Sequence, residues 1–180
     1  MADVFPIRAV AIHEAAHAVV TFRLTGNAGG HVSIVRVGER VGVSHDDMTD
    51  TFSRSGIEAR VCSLYAGGHA QRRFDPSLGD DGCDRDDGTA LALLTARGLQ
   101  ELSDALRERS LELVLKHWPE IVAVADELQV LQVLNETEIE LIAETAAGDP
   151  EANLTLYREA GSDALESWRE QFKRSKGGAS

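Results

Sequence analysis

Hydrophobic and polar positions along the chain alternate with periods that predict a mostly helical protein with one small hairpin. From Ile7 to about Leu24, Ile12, Ala16, Val19 and Val20 recur at helical spacing, and TGNAGG (Thr25 to Gly30) stops the pattern with three glycines. HVSIVRVGERVGVSHDD follows, two valine-rich runs around GER, which predicts a hairpin turning near Gly38 to Arg40. A second helix is expected from Ser53, with Ile57, Val61, Leu64 and Tyr65 on one face. DPSLGDDGCDRDDG (Asp75 to Gly88) reads as an irregular loop, and helical spacing resumes from Thr89 to Arg97, where Gly98 breaks or bends it. LQELSDALRERSLELVLKHW continues the pattern, and Pro119 suits the first turn of a further helix, PEIVAVADELQVL. Asn135 with Glu138 three residues on resembles a capping box, and Gly148 to Pro150 end that last helix. The fold class expected is therefore mainly α (α+β), with one domain over residues 1–148. Residues 149–180 are expected to form a weakly attached tail with a short helix around DALESWREQFKR.

Bulk properties narrow the function classes. At 180 residues the chain supports one sizeable core. Eighteen basic against thirty acidic residues leave a net charge of -12, which repels nucleic acid and anionic lipid. No nucleic acid or membrane partner is expected. The two cysteines, Cys62 and Cys83, and a start without a secretory pattern fit a soluble cytoplasmic protein with free thiols.

The candidate chemistry lies in AIHEAAHAVV. His13 and His17 are four residues apart, so on a helix both rings reach one ion, and Glu14 is set to address a water bound to it. Two imidazoles and one further ligand leave a position open on zinc, where the metal acidifies water and a carboxylate takes the proton. Buried on so apolar a helix, these side chains need partners, and a metal supplies one. The third ligand is not on this helix. Asp80, Asp81, Asp84, Asp86 and Asp87 crowd one loop, and spacing does not choose among them. Cys62 reads as core, Cys83 as a loop thiol rather than a soft metal contact, and His69 as a polar helix-end residue rather than a ligand. His117 and Trp118 mark a helix junction, while His31 and His45 flank the hairpin.

The order of these features resembles the peptidase domain of the FtsH-type ATP-dependent zinc proteases. HEAAHAVV corresponds to that family's HEAGH helix, VSIVRVGERVGVS to its hairpin, YAGGHAQRR to its GGRAAE-like stretch and GCDRDDGTAL to its GASNDLxxAT-like stretch. The resemblance covers about Ile7 to Ala146. It implies a helical zincin-like peptidase domain with zinc held by His13, His17 and Asp86, the aspartate matching the family's third ligand, and with Glu14 as general base. It also implies that the second hairpin strand, including Val41, Gly42 and Val43, borders the cleft and offers backbone to an extended polypeptide substrate by strand addition.

Departures from the family pattern shape the expected function. No GxxxxGK[ST] loop occurs, so the chain is expected to act without its own nucleotide-driven module or membrane anchor. Arg72 stands where the family has an acidic residue, and His69 where it has arginine, while Cys83, Asp84 and Arg85 replace small and amide residues, leaving Asp84 and Asp87 as alternative ligands. Two functions follow from this pattern. One is a stand-alone zinc metalloendopeptidase acting on unfolded or flexible polypeptides. The other is a catalytically weak zinc-binding module that docks to a separate unfoldase. A separate ATPase or further copies of the chain are the partners that either role implies.

Overall fold

A computed structural model of the chain describes residues 7–35, 43–46, 52–79 and 83–177. The predicted turn at Gly38 to Arg40 lies outside them, as do Asp80, Asp81, Val41 and Gly42. Among the described residues the protein is mainly α with one small sheet.

Helix α1 (Ile7–Thr25) is the axis of the fold. Every residue from Ala9 to Thr21 is buried, so the helix has no solvated face, and the one-sided stripe in the sequence understates its burial. A helix apolar all round suits such a position, and its alanines let neighbours approach closely. It packs chiefly against α2 (Arg54–Phe74) and α5 (Trp118–Leu131). Helix α2 starts at the predicted Ser53, whose hydroxyl accepts from the Gly56 amide, and it buries Ile57, Val61, Leu64 and Tyr65. Cys62 is core as expected, with its thiol directed at the Leu106 carbonyl, 3.6 Å away.

Strands β1 (Gly30–Ser33) and β2 (Val43–Asp46) pair antiparallel, with His31 opposite His45 and Ser33 opposite Val43. The sheet is larger than the predicted hairpin. Strand β3 (Val133–Asn135) pairs with the other side of β1, giving the order β2-β1-β3. Three residues are too few to display an alternating pattern, which is why the sequence hides β3. Gln132 in the left-handed conformation ends α5 and turns the chain into it.

Helix α3 (Asp84–Arg97) begins five residues before the predicted Thr89, so Asp84, Asp86 and Asp87 belong to its first turn instead of a loop. Only Ala90 and Leu94 of α3 are buried, which leaves no apolar periodicity to mark that turn, although carboxylates there favour the helix electrostatically. Gly98 closes α3 in the left-handed conformation. After a short 3-10 turn come α4 (Ser103–Lys116), α5 with Pro119 in its first turn, and α6 (Glu136–Ala147) with the predicted Asn135–Glu138 capping box.

The C-terminal segment departs most from expectation. It forms one long helix, α7 (Leu154–Gly177), docked by ion pairs. The carboxylate of Glu138 is fully buried and accepts from Arg169 and, at 3.2 Å, from Arg158, which also reaches Glu127 at 2.9 Å. Phe172 and Trp168 stack edge-on against His31 of β1. Tyr157, Leu165, Trp168 and Phe172 recur at helical spacing along this segment, a period that runs well beyond the short helix expected around DALESWREQFKR.

Two outcomes test this packing. Replacing Arg158 and Arg169 together with alanine strands a buried carboxylate and should lower unfolding free energy by about 3–5 kcal/mol in urea titration. Glu138→Gln in that background should recover part of the loss by removing the charge. Burial pushes the Cys62 thiol up to about 11, so at pH 8 an alkylating reagent should modify it only after the protein is unfolded, as read by mass spectrometry.

Candidate metal centre

Three donor atoms from two helices converge on one point. His13 Nε2 and His17 Nε2, one turn apart on α1, are 3.0 Å from each other. Asp86 Oδ2, from the first turn of α3, lies 3.1 Å from the former and 3.4 Å from the latter. Ligands about 2.0–2.1 Å from a tetrahedral ion are separated by roughly 3.3 Å, so the triangle matches three corners of such a site. Among the described residues this is the group of histidine, cysteine and acidic side chains able to hold a metal ion. It is formed by the two histidines of the HExxH spacing and the aspartate that the resemblance implies.

The hydrogen bonds around the group orient its rings. His17 Nδ1 donates to the Ser63 carbonyl of α2 at 2.7 Å, so Nε2 is the nitrogen turned to the cluster. Nε2 faces His13 Nε2 and the Asp86 carboxylate. One proton serves one of these contacts, whereas one cation serves all three. Burial would raise the Asp86 carboxyl, but hydrogen bonds from and charge on His13 and His17 outweigh it and hold Asp86 well below the usual carboxylate range. The aspartate is therefore ionised.

Gly67 gives the site its space. A Cβ on Gly67 would stand 2.6 Å from both Nε2 atoms, inside any permitted contact, so only a residue without a side chain fits there. The cradle that a methyl group would fill leaves room beside the two Nε2 atoms for an ion. Glu14 is on the same buried helix, next to His13, with 8% of its surface exposed.

Residues outside the cluster have other partners. Asp87 pairs with Arg107 at 3.1 Å. His69 donates from Nε2 to the Arg107 carbonyl and accepts from Arg72 at Nδ1, 3.1 and 3.2 Å away; burial, followed by the Arg72 charge, lowers its pKa and keeps it neutral. His69 is thus a structural residue tying α2 to α4. Cys83 is buried just before α3, its Sγ against Gly68, and it is not one of the three donors. His117 binds Glu120 at the junction of α4 and α5, and Glu120 in turn holds Arg23 of α1. Val43 is the first residue of β2, the edge strand beside α1, while Val41 and Gly42 precede it outside the described residues. Sequence reasoning missed Ser63 and Gly67. Both lie four residues apart on α2, on the face toward α1, and an SxxxG spacing facing HxxxH was the available signal.

If these atoms hold a metal, the purified protein should contain about one divalent ion per chain by elemental analysis. Asp86→Ala should abolish that content, and Asp84→Ala and Asp87→Ala should keep it. Gly67→Ala should also lose the metal, while overpacking costs roughly 1–3 kcal/mol of stability. No protein-family model and no curated protein matches the chain, so its functional reading rests on this geometry and on the residues' chemistry.

Proposed function

We propose that this protein is a zinc-dependent metalloendopeptidase that cleaves unfolded or flexible polypeptides. The observation that carries the reading is the convergence of His13 Nε2, His17 Nε2 and Asp86 Oδ2 within 3.4 Å, beside a buried glutamate on the same helix. Two imidazoles and one carboxylate are a donor set suited to zinc with a position left open, in contrast to the closed four-ligand sets of structural sites. Zinc bound there supplies a Lewis acid and a water acidic enough to lose its proton near neutral pH.

The chain's own residues do the rest. Glu14 receives the proton of the attacking water and returns it to the leaving amine, the general acid and base role in which one carboxylate serves both halves of the reaction. Asp86, already ionised, keeps the metal-facing charge constant while Glu14 cycles. Strand β2, at the sheet edge and in contact with α1, offers main-chain groups to a substrate lying extended as a fourth strand. A substrate so bound must be unfolded locally, and the sequence contains no phosphate loop with which to unfold it. Chains already unfolded, or delivered by a separate ATPase, are the substrates this reading assigns.

Incubation with unfolded casein or a quenched peptide library should give cleavage that a chelator stops and added zinc restores. Glu14→Gln should lower kcat by about 10²–10⁴ while metal content stays unchanged. Stoichiometric zinc with no chelator-sensitive turnover would overturn the peptidase reading and leave a zinc-binding docking module in its place.

A further inference from the structure

The contact between α1 and α2 contains a polar relay that the catalytic reading does not use. On α1, His13, His17 and Thr21 follow one another at four-residue intervals and so lie in one stripe. On α2, Ser63 and Gly67 do the same. Passing from Thr21 back to His13, the partners on α2 advance from Ser63 to Gly67, so the two stripes run antiparallel. At one level Gly67 leaves room for the two Nε2 atoms. One turn away, Ser63 holds the far side of the His17 ring.

Ser63 makes three contacts there. Its carbonyl accepts the His17 Nδ1 proton at 2.7 Å. Its hydroxyl donates to the His17 carbonyl at 3.2 Å. The same hydroxyl accepts from Thr21 Oγ1 at 2.9 Å. Thr21, Ser63 and His17 are all buried, at 5%, 1% and 7% exposure, so water does not compete for these bonds. A hydroxyl has one proton to give, and the Thr21 proton fixes which way the Ser63 proton must point. Ser63 is thus clamped to both the ring and the backbone of one histidine, and Thr21 sets the direction of the clamp.

We propose that Ser63, oriented by Thr21, is the positioning residue that sets the tautomer and ring angle of His17 for metal binding. The proposal rests on the metal reading of the His13–His17–Asp86 cluster. A ligating histidine whose other nitrogen is held by a fixed acceptor binds metal more tightly, because the correct tautomer and orientation are in place beforehand.

The test uses the full chain and cobalt(II) as the probe, with affinity measured by chelator competition and geometry by visible absorption. Thr21→Val and Ser63→Ala should each weaken cobalt binding by about tenfold to a hundredfold and shift the visible bands, whereas Thr21→Ser should keep wild-type values. In the metal-free protein, the His17 ring Nδ1–H should be protected from exchange in nitrogen-15 spectra and lose protection in Thr21→Val. Wild-type affinity and spectrum in both Thr21→Val and Ser63→Ala, whatever their thermal stability, would overturn the proposal. An equal loss in Thr21→Ser would also overturn it, since packing rather than the hydroxyl would then be responsible. If Ser63→Ala does not fold, Thr21→Val decides, being isosteric and removing only the proton that orients the Ser63 hydroxyl. Absence of cobalt binding by the wild type would instead remove the metal reading itself, and this inference with it.

Discussion

Burying a helix on all sides imposes a condition on every polar group it carries, and α1 carries several. His13, Glu14, His17 and Thr21 are each less than a tenth exposed, in the midst of alanine, valine and isoleucine. A buried donor or acceptor without a partner costs about 1–3 kcal/mol, and α1 offers more than one within two turns. Helix α2 meets the condition by coming close. Glycine at 67 lets the α2 backbone approach the imidazoles, and Ser63 one turn earlier supplies the carbonyl and hydroxyl that serve His17 and Thr21. The two Nε2 atoms and the Asp86 carboxylate are left facing one another, an arrangement that a cation would complete.

The other side of the site is held by charge. Asp86 reaches the cluster because α3 begins at Asp84 and places it in the first turn, and its neighbour Asp87 pairs with Arg107 of α4. Arg107 also covers the Tyr65 ring and takes the His69 proton on its carbonyl, so one residue joins α2, α3 and α4 around the mouth of the group. His69 and Arg72 are engaged with each other in that junction. Their side chains serve helix packing, apart from the three clustered donors.

Farther away, ion pairs again do what apolar contacts do elsewhere. Glu138 closes the capping box of α6 and at the same time receives two arginines from α7, so the C-terminal helix is tied to the element that follows strand β3. Arg23 at the end of α1 binds Glu120 and Glu144, which links the central helix to α5 and α6. In a chain with a net charge of -12, each half-buried arginine placed among carboxylates also relieves local repulsion. No helix among the described residues is long and apolar enough to cross a membrane.

Local rules were enough to read the helices whose ends are written in capping residues: Ser53 before α2, Pro119 in α5, Asn135 with Glu138 at α6, and Gly98 and Gly148 as left-handed ends. The HExxH spacing likewise placed His13, Glu14 and His17 on one helix, since four residues are about one turn whatever surrounds them. What spacing left open was which aspartate completes the group, because five share one segment. The resemblance pointed to Asp86, and the tertiary structure brings its carboxylate, rather than that of Asp84 or Asp87, to the imidazoles. Strand β3, the docking of α7 through Glu138, the clamp at Ser63 and the space at Gly67 were also decided there. Each depends on pairing between segments far apart in the chain, through a few hydrogen bonds, an ion pair or a missing Cβ, and such contacts leave no period in the sequence to be read.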